Sequence, residues 1–138
     1  MHYYFAYGSN LHHFQMKRRC PNCKYLKKII LNNYRMTFRS KYGVADIERK
    51  SRHKVYGALY LISVAAEKRL DVYEEYPTLY KKIYFKYKGK KVMTYTMCRK
   101  TKLVPPPTRY LNVIKQGYKD CKLNTKSLNL VLSQLKHI

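Results

Sequence analysis

Acidic residues are scarce: 7 Asp or Glu stand against 30 Lys or Arg in 138 residues, giving a formal net charge of +23. Such an imbalance attracts phosphate-rich partners by releasing their counterions, so a nucleic-acid partner stays open. Lysine outnumbers arginine 21 to 9, a bias that AT-rich coding also produces, so charge alone assigns no partner. Tryptophan is absent and the chain holds only 5 Gly and 5 Pro, with no Gly/Ser/Pro-rich stretch long enough for a linker. Long apolar runs are missing too. The stretch Val55 to Leu61, broken by Gly57, falls far short of the ~20 residues of a membrane span. The opening Met1-His2-Tyr3-Tyr4-Phe5 has no basic, signal-like start, which points to a cytoplasmic protein. Four cysteines (Cys20, Cys23, Cys98 and Cys121) are too few and too unevenly spaced for a disulfide framework, so free thiols are expected.

What is present suffices for one core. At 46% apolar and 14% aromatic residues the chain is no disordered basic tail, and it reads as a single domain over 1–138, a monomer or homodimer. Tyr3–Tyr7, Tyr25–Phe38 and Val55–Ile62 read as strands, and Lys82–Lys88 with Lys91–Cys98 as a hairpin turning at Lys88-Gly89-Lys90. A short helix should follow Asn10. A second should run from Val64 to about Tyr76, capped by Ser63 and stopped by Pro77. Beyond Pro105-Pro106-Pro107, Thr108 and Thr125 are candidate caps of two more helices. Strands first and helices last indicate an α+β fold on a mixed or antiparallel sheet, with closure into a small β-barrel as an option.

Four groups of residues invite chemistry. Tyr7-Gly8-Ser9-Asn10-Leu11 runs from a strand into a turn and a helix start, where free amides can hold an anion or simply be capped by Ser9 or Asn10. Four of the seven acids lie between Glu67 and Glu75, and Glu67, Asp71 and Glu74 share a helical face. Crowded carboxylates raise one another's proton affinity, as a general base requires, although a solvated face partnering lysines fits the same spacing. Cys20-Pro21-Asn22-Cys23 has no second pair at zinc-site spacing, so no metal is expected. Tyr80 to Lys91 alternates Lys with aromatic residues, which is a solvated strand face or a stacking surface for single-stranded nucleic acid.

Taken in order, these pieces resemble the gamma-glutamylcyclotransferase, or AIG2-like, family over nearly the whole chain. Phe5-Ala6-Tyr7-Gly8-Ser9-Asn10-Leu11 is similar to its YGSN substrate loop, and Leu70-Asp71-Val72-Tyr73-Glu74-Glu75 to its LDxxEG tract. Thr94-Tyr95-Thr96-Met97 and Pro106-Pro107-Thr108-Arg109-Tyr110 are similar to its later strand and P-S-x-x-Y segment. The resemblance implies a small mixed β-barrel flanked by helices and a substrate cavity at one end. It also implies a cofactor-independent enzyme that cyclises a small γ-glutamyl substrate to 5-oxoproline. By it Glu74 is the catalytic base and acid, and Tyr7, Gly8, Ser9, Asn10, Leu11, Tyr80, Tyr95 and Tyr110 bind substrate. Glu75 replaces the family's Gly and so becomes a candidate modulator of Glu74; Pro107 replaces its Ser. Two alternatives accompany this reading: a non-catalytic small-anion binder of the same fold, and a basic nucleic-acid-binding protein.

Overall fold

The computed structural model describes residues 1–136. Its centre is β1 (His2–Ala6), which pairs antiparallel with β3 (Val44–Ile62) and parallel with β5 (Lys90–Met97). β2 (Lys24–Arg39) and β4 (Tyr80–Tyr87) form the edges of a five-stranded sheet ordered β2-β3-β1-β5-β4. Phe5 and Ala6, flanked by strands on both sides, have no exposed surface. Gly57 permits this packing, because a Cβ there would lie 2.4 Å from the Ala6 carbonyl oxygen and 2.5 Å from the Phe5 ring.

β3 begins at Val44, eleven residues before the strand read from the sequence. The added stretch is polar and shows no strand preference of its own. Its ladder with β2 supplies the order, reinforced by an ion pair of 2.8 Å between the facing residues Arg35 and Glu48. Register shifts after Tyr25 and Asn32 bend this long hairpin.

The sheet curls but does not close, which corrects the barrel expectation. The edge strands β2 and β4 do not pair with each other among the described residues. The fully buried carboxylate of Asp46 on β3 accepts the Met97 amide of β5 at 2.8 Å and lies 3.0 Å from the Thr96 hydroxyl, tying together the two strands that flank β1. Lys100 Nζ donates to the same carboxylate at 2.6 Å.

Four helices, α1 (His13–Arg19), α2 (Val64–Tyr73), α3 (Thr108–Asp120) and α4 (Lys126–Leu135), pack around the sheet. Ser63 caps α2 as expected, its hydroxyl accepting the Ala66 amide at 3.0 Å. Thr108 and Thr125 do not cap their helices through side chains; Thr108 lies within the first turn of α3, and Asn124 Oδ1 accepts the Lys126 amide at 2.8 Å. No helix is long and apolar enough to cross a membrane among the described residues.

The end of α2 aims the site, and it comes three residues earlier than Pro77 suggested. Glu74 is the C-cap; Glu75 turns left-handed at φ 51°, its amide bonding the Val72 carbonyl while the Tyr76 amide bonds that of Asp71. This pairing is a Schellman motif, whose left-handed position favours glycine. The sequence resemblance noted Gly here, and the geometry supplies the reason. Glu75→Gly is expected to raise stability by about 1 kcal/mol, read as a higher urea midpoint with an unchanged slope; a lowered midpoint would show that the Glu75 side chain contributes more than the strain it carries.

Candidate active site

β1 ends at Ala6 and delivers Tyr7 and Gly8 to a 3-10 turn, Ser9–Leu11, at one end of the sheet. Helix α3 fixes this turn from outside. Gly117 allows the contact, since a Cβ there would lie 2.5 Å from Leu11 Cβ and 2.7 Å from the His12 amide nitrogen. Neither Ser9 nor Asn10 caps the turn. Asn10 is instead a buried connector: its Nδ2 donates to the Tyr4 hydroxyl at 3.0 Å, and its Oδ1 accepts from Arg19 Nη1 at 2.7 Å. The first amides of the turn have no partner within it.

The turn, the α2 terminus and the sheet end enclose a cavity of about 330 Å³ including its mouth. Gly8, Ser9, Asn10 and Glu74 form one side, and the rings of Tyr7, Tyr80, Tyr95 and Tyr110 another. All the site residues read from the sequence line it except Leu11, which lies wholly in the core under the turn, and Glu75, which is exposed. Tyr4 and Ala45 complete the lining and were not singled out. Alternation along β1 offered no signal for Tyr4, because Tyr4, Phe5, Ala6 and Tyr7 are all buried.

Glu74 keeps part of its residue surface exposed, but protein atoms crowd its carboxyl. Burial pushes the pKa up to about 7, against the opposing pull of the Arg19 cation. Neither Glu67 nor Asp71 produces this shift. Those two carboxylates point instead to Lys82 Nζ, at 2.7 and 3.0 Å. Burial would raise Glu67, but Lys82 and His2 outweigh it and hold its carboxyl below the usual range. Crowding by neighbouring carboxylates therefore does not account for Glu74, whose burial at the helix cap does.

The tyrosines are held in one electrical sense. Tyr7 donates its hydroxyl proton to the Tyr95 carbonyl at 2.8 Å, Tyr80 to the Ala45 carbonyl at 2.5 Å, and Tyr95 to Asp71 Oδ1 at 2.6 Å. Burial raises the pKa of each, so all three stay neutral. With their protons committed, these oxygens offer only lone pairs to a guest. Tyr110 differs: its oxygen accepts the Ala45 amide at 2.9 Å, which leaves its own proton free to donate. The cavity thus combines one carboxyl with several neutral acceptors, an arrangement matched to an ammonium group.

Arg19, at the end of α1, links the turn to the end of α2. Its Nη1 reaches Asn10 Oδ1 and, at 3.3 Å, Ser9 Oγ, while its guanidinium sits 4.7 Å from the ring centre of Tyr73, next to Glu74. In the sequence it was one of three consecutive basic residues, with nothing to distinguish it. The Cys20-Pro21-Asn22-Cys23 segment forms a turn in which the Cys23 amide donates to the Cys20 carbonyl at 3.0 Å, and all four cysteines are free thiols.

No curated protein sequence matches the chain significantly. Among solved structures, an uncharacterized protein from Homo sapiens is 25% identical, with a TM-score of 0.78 over 99% of this chain and 87% of the other. A gamma-glutamyl cyclotransferase structure is 22% identical, with a TM-score of 0.77 over 99% and 87%. YkqA from Bacillus subtilis is 22% identical with the same TM-score of 0.77, and the match spans 55% of that longer chain. The model of the family described as gamma-glutamyl cyclotransferase, AIG2-like, matches residues 4–117, a span that contains the turn, Glu74 and all five cavity tyrosines, and the chain belongs to that family.

Proposed function

We propose that the chain is a gamma-glutamyl cyclotransferase-like enzyme with Glu74 as its general base and acid. The observation that carries this reading is the Glu74 carboxyl, raised to about 7 and set among acceptor oxygens suited to an ammonium. In the proposed reaction the Glu74 carboxylate removes a proton from the α-ammonium of a γ-glutamyl group. The freed amine attacks the γ-carbonyl of the same group and closes the five-membered ring of 5-oxoproline. The C–N bond to the leaving amine then breaks; Glu74 returns its proton to that amine and the ring nitrogen gives up its second proton, so that a neutral lactam and an ammonium leave. The step is redox-neutral and needs no cofactor.

Tethering supplies much of the acceleration, since nucleophile and electrophile already belong to one molecule. The protein's task is to hold that molecule bent. Tyr7, Tyr80 and Tyr95 accept hydrogen bonds from the ammonium, while the amides of the Gly8–Asn10 turn meet a negative group of the substrate. Glu75, exposed on the far side of the cap, plays no part in setting the base.

Incubation of the protein with γ-glutamyl amino acids, γ-glutamylamines and glutathione, followed by mass spectrometry, is expected to yield 5-oxoproline from at least one of them. Stoichiometric capture of a compound by folded protein, with no product, would instead establish the non-catalytic anion binder.

A further inference from the structure

The acids of this chain are almost all engaged. Asp46, Glu48, Glu67 and Asp71 form ion pairs, and Glu74 lies in the cavity. Among the described residues the lysines and arginines they neutralise are Arg35, Arg39, Lys82 and Lys100. The remaining positive charge is uncompensated, and two stretches are equally dense: Arg49 to Lys54 on β3, and the place where β4 turns into β5. There Lys86, Lys88, Lys90 and Lys91 fall within six residues, all exposed.

Two features of this hairpin act against the fold. Lys86 and Lys91 are direct cross-strand partners, a like-charge pairing that destabilises a sheet. Lys88 occupies a tight turn at φ 49°, followed by Gly89 at φ 78°, in a position that favours Asn or Gly. Folding stability alone would favour other residues at both places.

Beside these lysines lies a groove of about 790 Å³ including its open side, where Tyr3, Tyr84 and Met93 meet Lys90 and Lys91. Tyr84 is 54% exposed, and Lys91 Nζ lies 4.4 Å from its ring centre. Lys90 Nζ donates to the Tyr3 hydroxyl at 2.9 Å. Glu67 also reaches the groove, but Lys82 and His2 engage its carboxylate. An aromatic wall, an apolar floor and a cationic rim match a base with its phosphate, and the charge continues along the hairpin tip.

We propose that this groove and the tip of the β4–β5 hairpin form a docking site for single-stranded nucleic acid, with a base against Tyr84 and phosphates on Lys86, Lys88, Lys90 and Lys91. A single strand fits better than a duplex, because a ring exposed beside lysines can stack only on a base that is out of its pair. The site is separate from the cavity and does not depend on cyclotransferase activity.

Fluorescence anisotropy with a labelled single-stranded 12-mer, titrated at several salt concentrations, tests the proposal. Changing the four lysines together to Gln is expected to weaken binding at least tenfold at moderate salt, and to make the plot of log affinity against log salt shallower by about 3. Tyr84→Ser should weaken binding about tenfold with the salt slope unchanged, and Tyr84→Phe should restore it. Lys91→Glu guards against misfolding, since it creates a cross-strand pair with Lys86; it should keep or raise the Tm and still weaken binding. Three results would each overturn the proposal: unchanged affinity in the four-lysine variant, no effect of Tyr84→Ser, or equal affinity for a duplex or dextran sulfate. Full competition by a mononucleotide would do so as well, by making the groove a free-nucleotide site.

Discussion

Glu74→Gln is expected to lower turnover by about 10² to 10⁴, the range that a positioned acid–base group contributes, while leaving the fold intact. The amide fills the same space but cannot take a proton from the substrate ammonium. In the wild type the carboxylate is the active form, so the rate should rise with pH through about 7. Stability should move the other way. A carboxyl whose folded pKa is raised binds its proton more tightly in the native state, so the fold loses stability as pH climbs from the unfolded value near 4.5 through about 7. Above that window the ionised group costs up to about 3 kcal/mol. Glu74→Gln removes this cost, so the variant should melt at a higher temperature than the wild type at pH 8 and differ little at pH 4. A variant that retains wild-type turnover removes Glu74 from the mechanism. Glu75→Gln provides the contrast: exposed and outside the cavity, it should change turnover by less than about threefold.

Local signals in the sequence marked the turn and placed Glu74 among four clustered acids; only the resemblance singled it out, and neither explained its surroundings. The Gly8-Ser9-Asn10 turn was legible because a strand, a Gly and a helix start are each marked by nearby residues. Tyr80, Tyr95 and Tyr110 were nameable only through resemblance, since among 16 tyrosines alternation places many on a buried face and distinguishes none. The hydrogen-bond sense of the cavity tyrosines was wholly hidden. It depends on the Ala45 and Tyr95 carbonyls and on Asp71, which reach the tyrosines through long-range pairing. The first half of β3 was missed for a similar reason: residues such as Arg49, Lys50 and Arg52 carry no strand preference, and their order comes from β2. Barrel closure was overstated because periodicity specifies strands and not whether the last gap is bridged by backbone. The Asp46 link between β3 and β5 was hidden as well, since no local pattern announces the burial of an acid.

Arg19 is the cavity's largest unread component, and changing it should separate charge from scaffold. Its guanidinium ties Ser9 and Asn10 to the Tyr73 ring, and its positive charge holds the Glu74 carboxyl lower than burial alone would set it. Arg19→Gln should therefore act twice. Loss of the cation should raise the Glu74 pKa and move the acidic limb of the rate profile upward with it. Loss of the turn's anchor should raise KM, so that kcat/KM at pH 7 falls about 10- to 100-fold, the penalty of a misplaced binding turn. Arg19→Lys keeps the charge but lacks the planar fork, so it should restore the limb while leaving much of the KM defect. A ¹³C NMR titration of the glutamate side chains, with Glu74→Gln to assign the resonance, reads the first effect without any substrate. If the Glu74 resonance titrates at the same pH in wild type and Arg19→Gln, the cation does not tune the base, whichever reaction the cavity performs. A shift in Arg19→Gln that Arg19→Lys reverses would place control of the base on α1, an element that contributes no atom to the cavity wall.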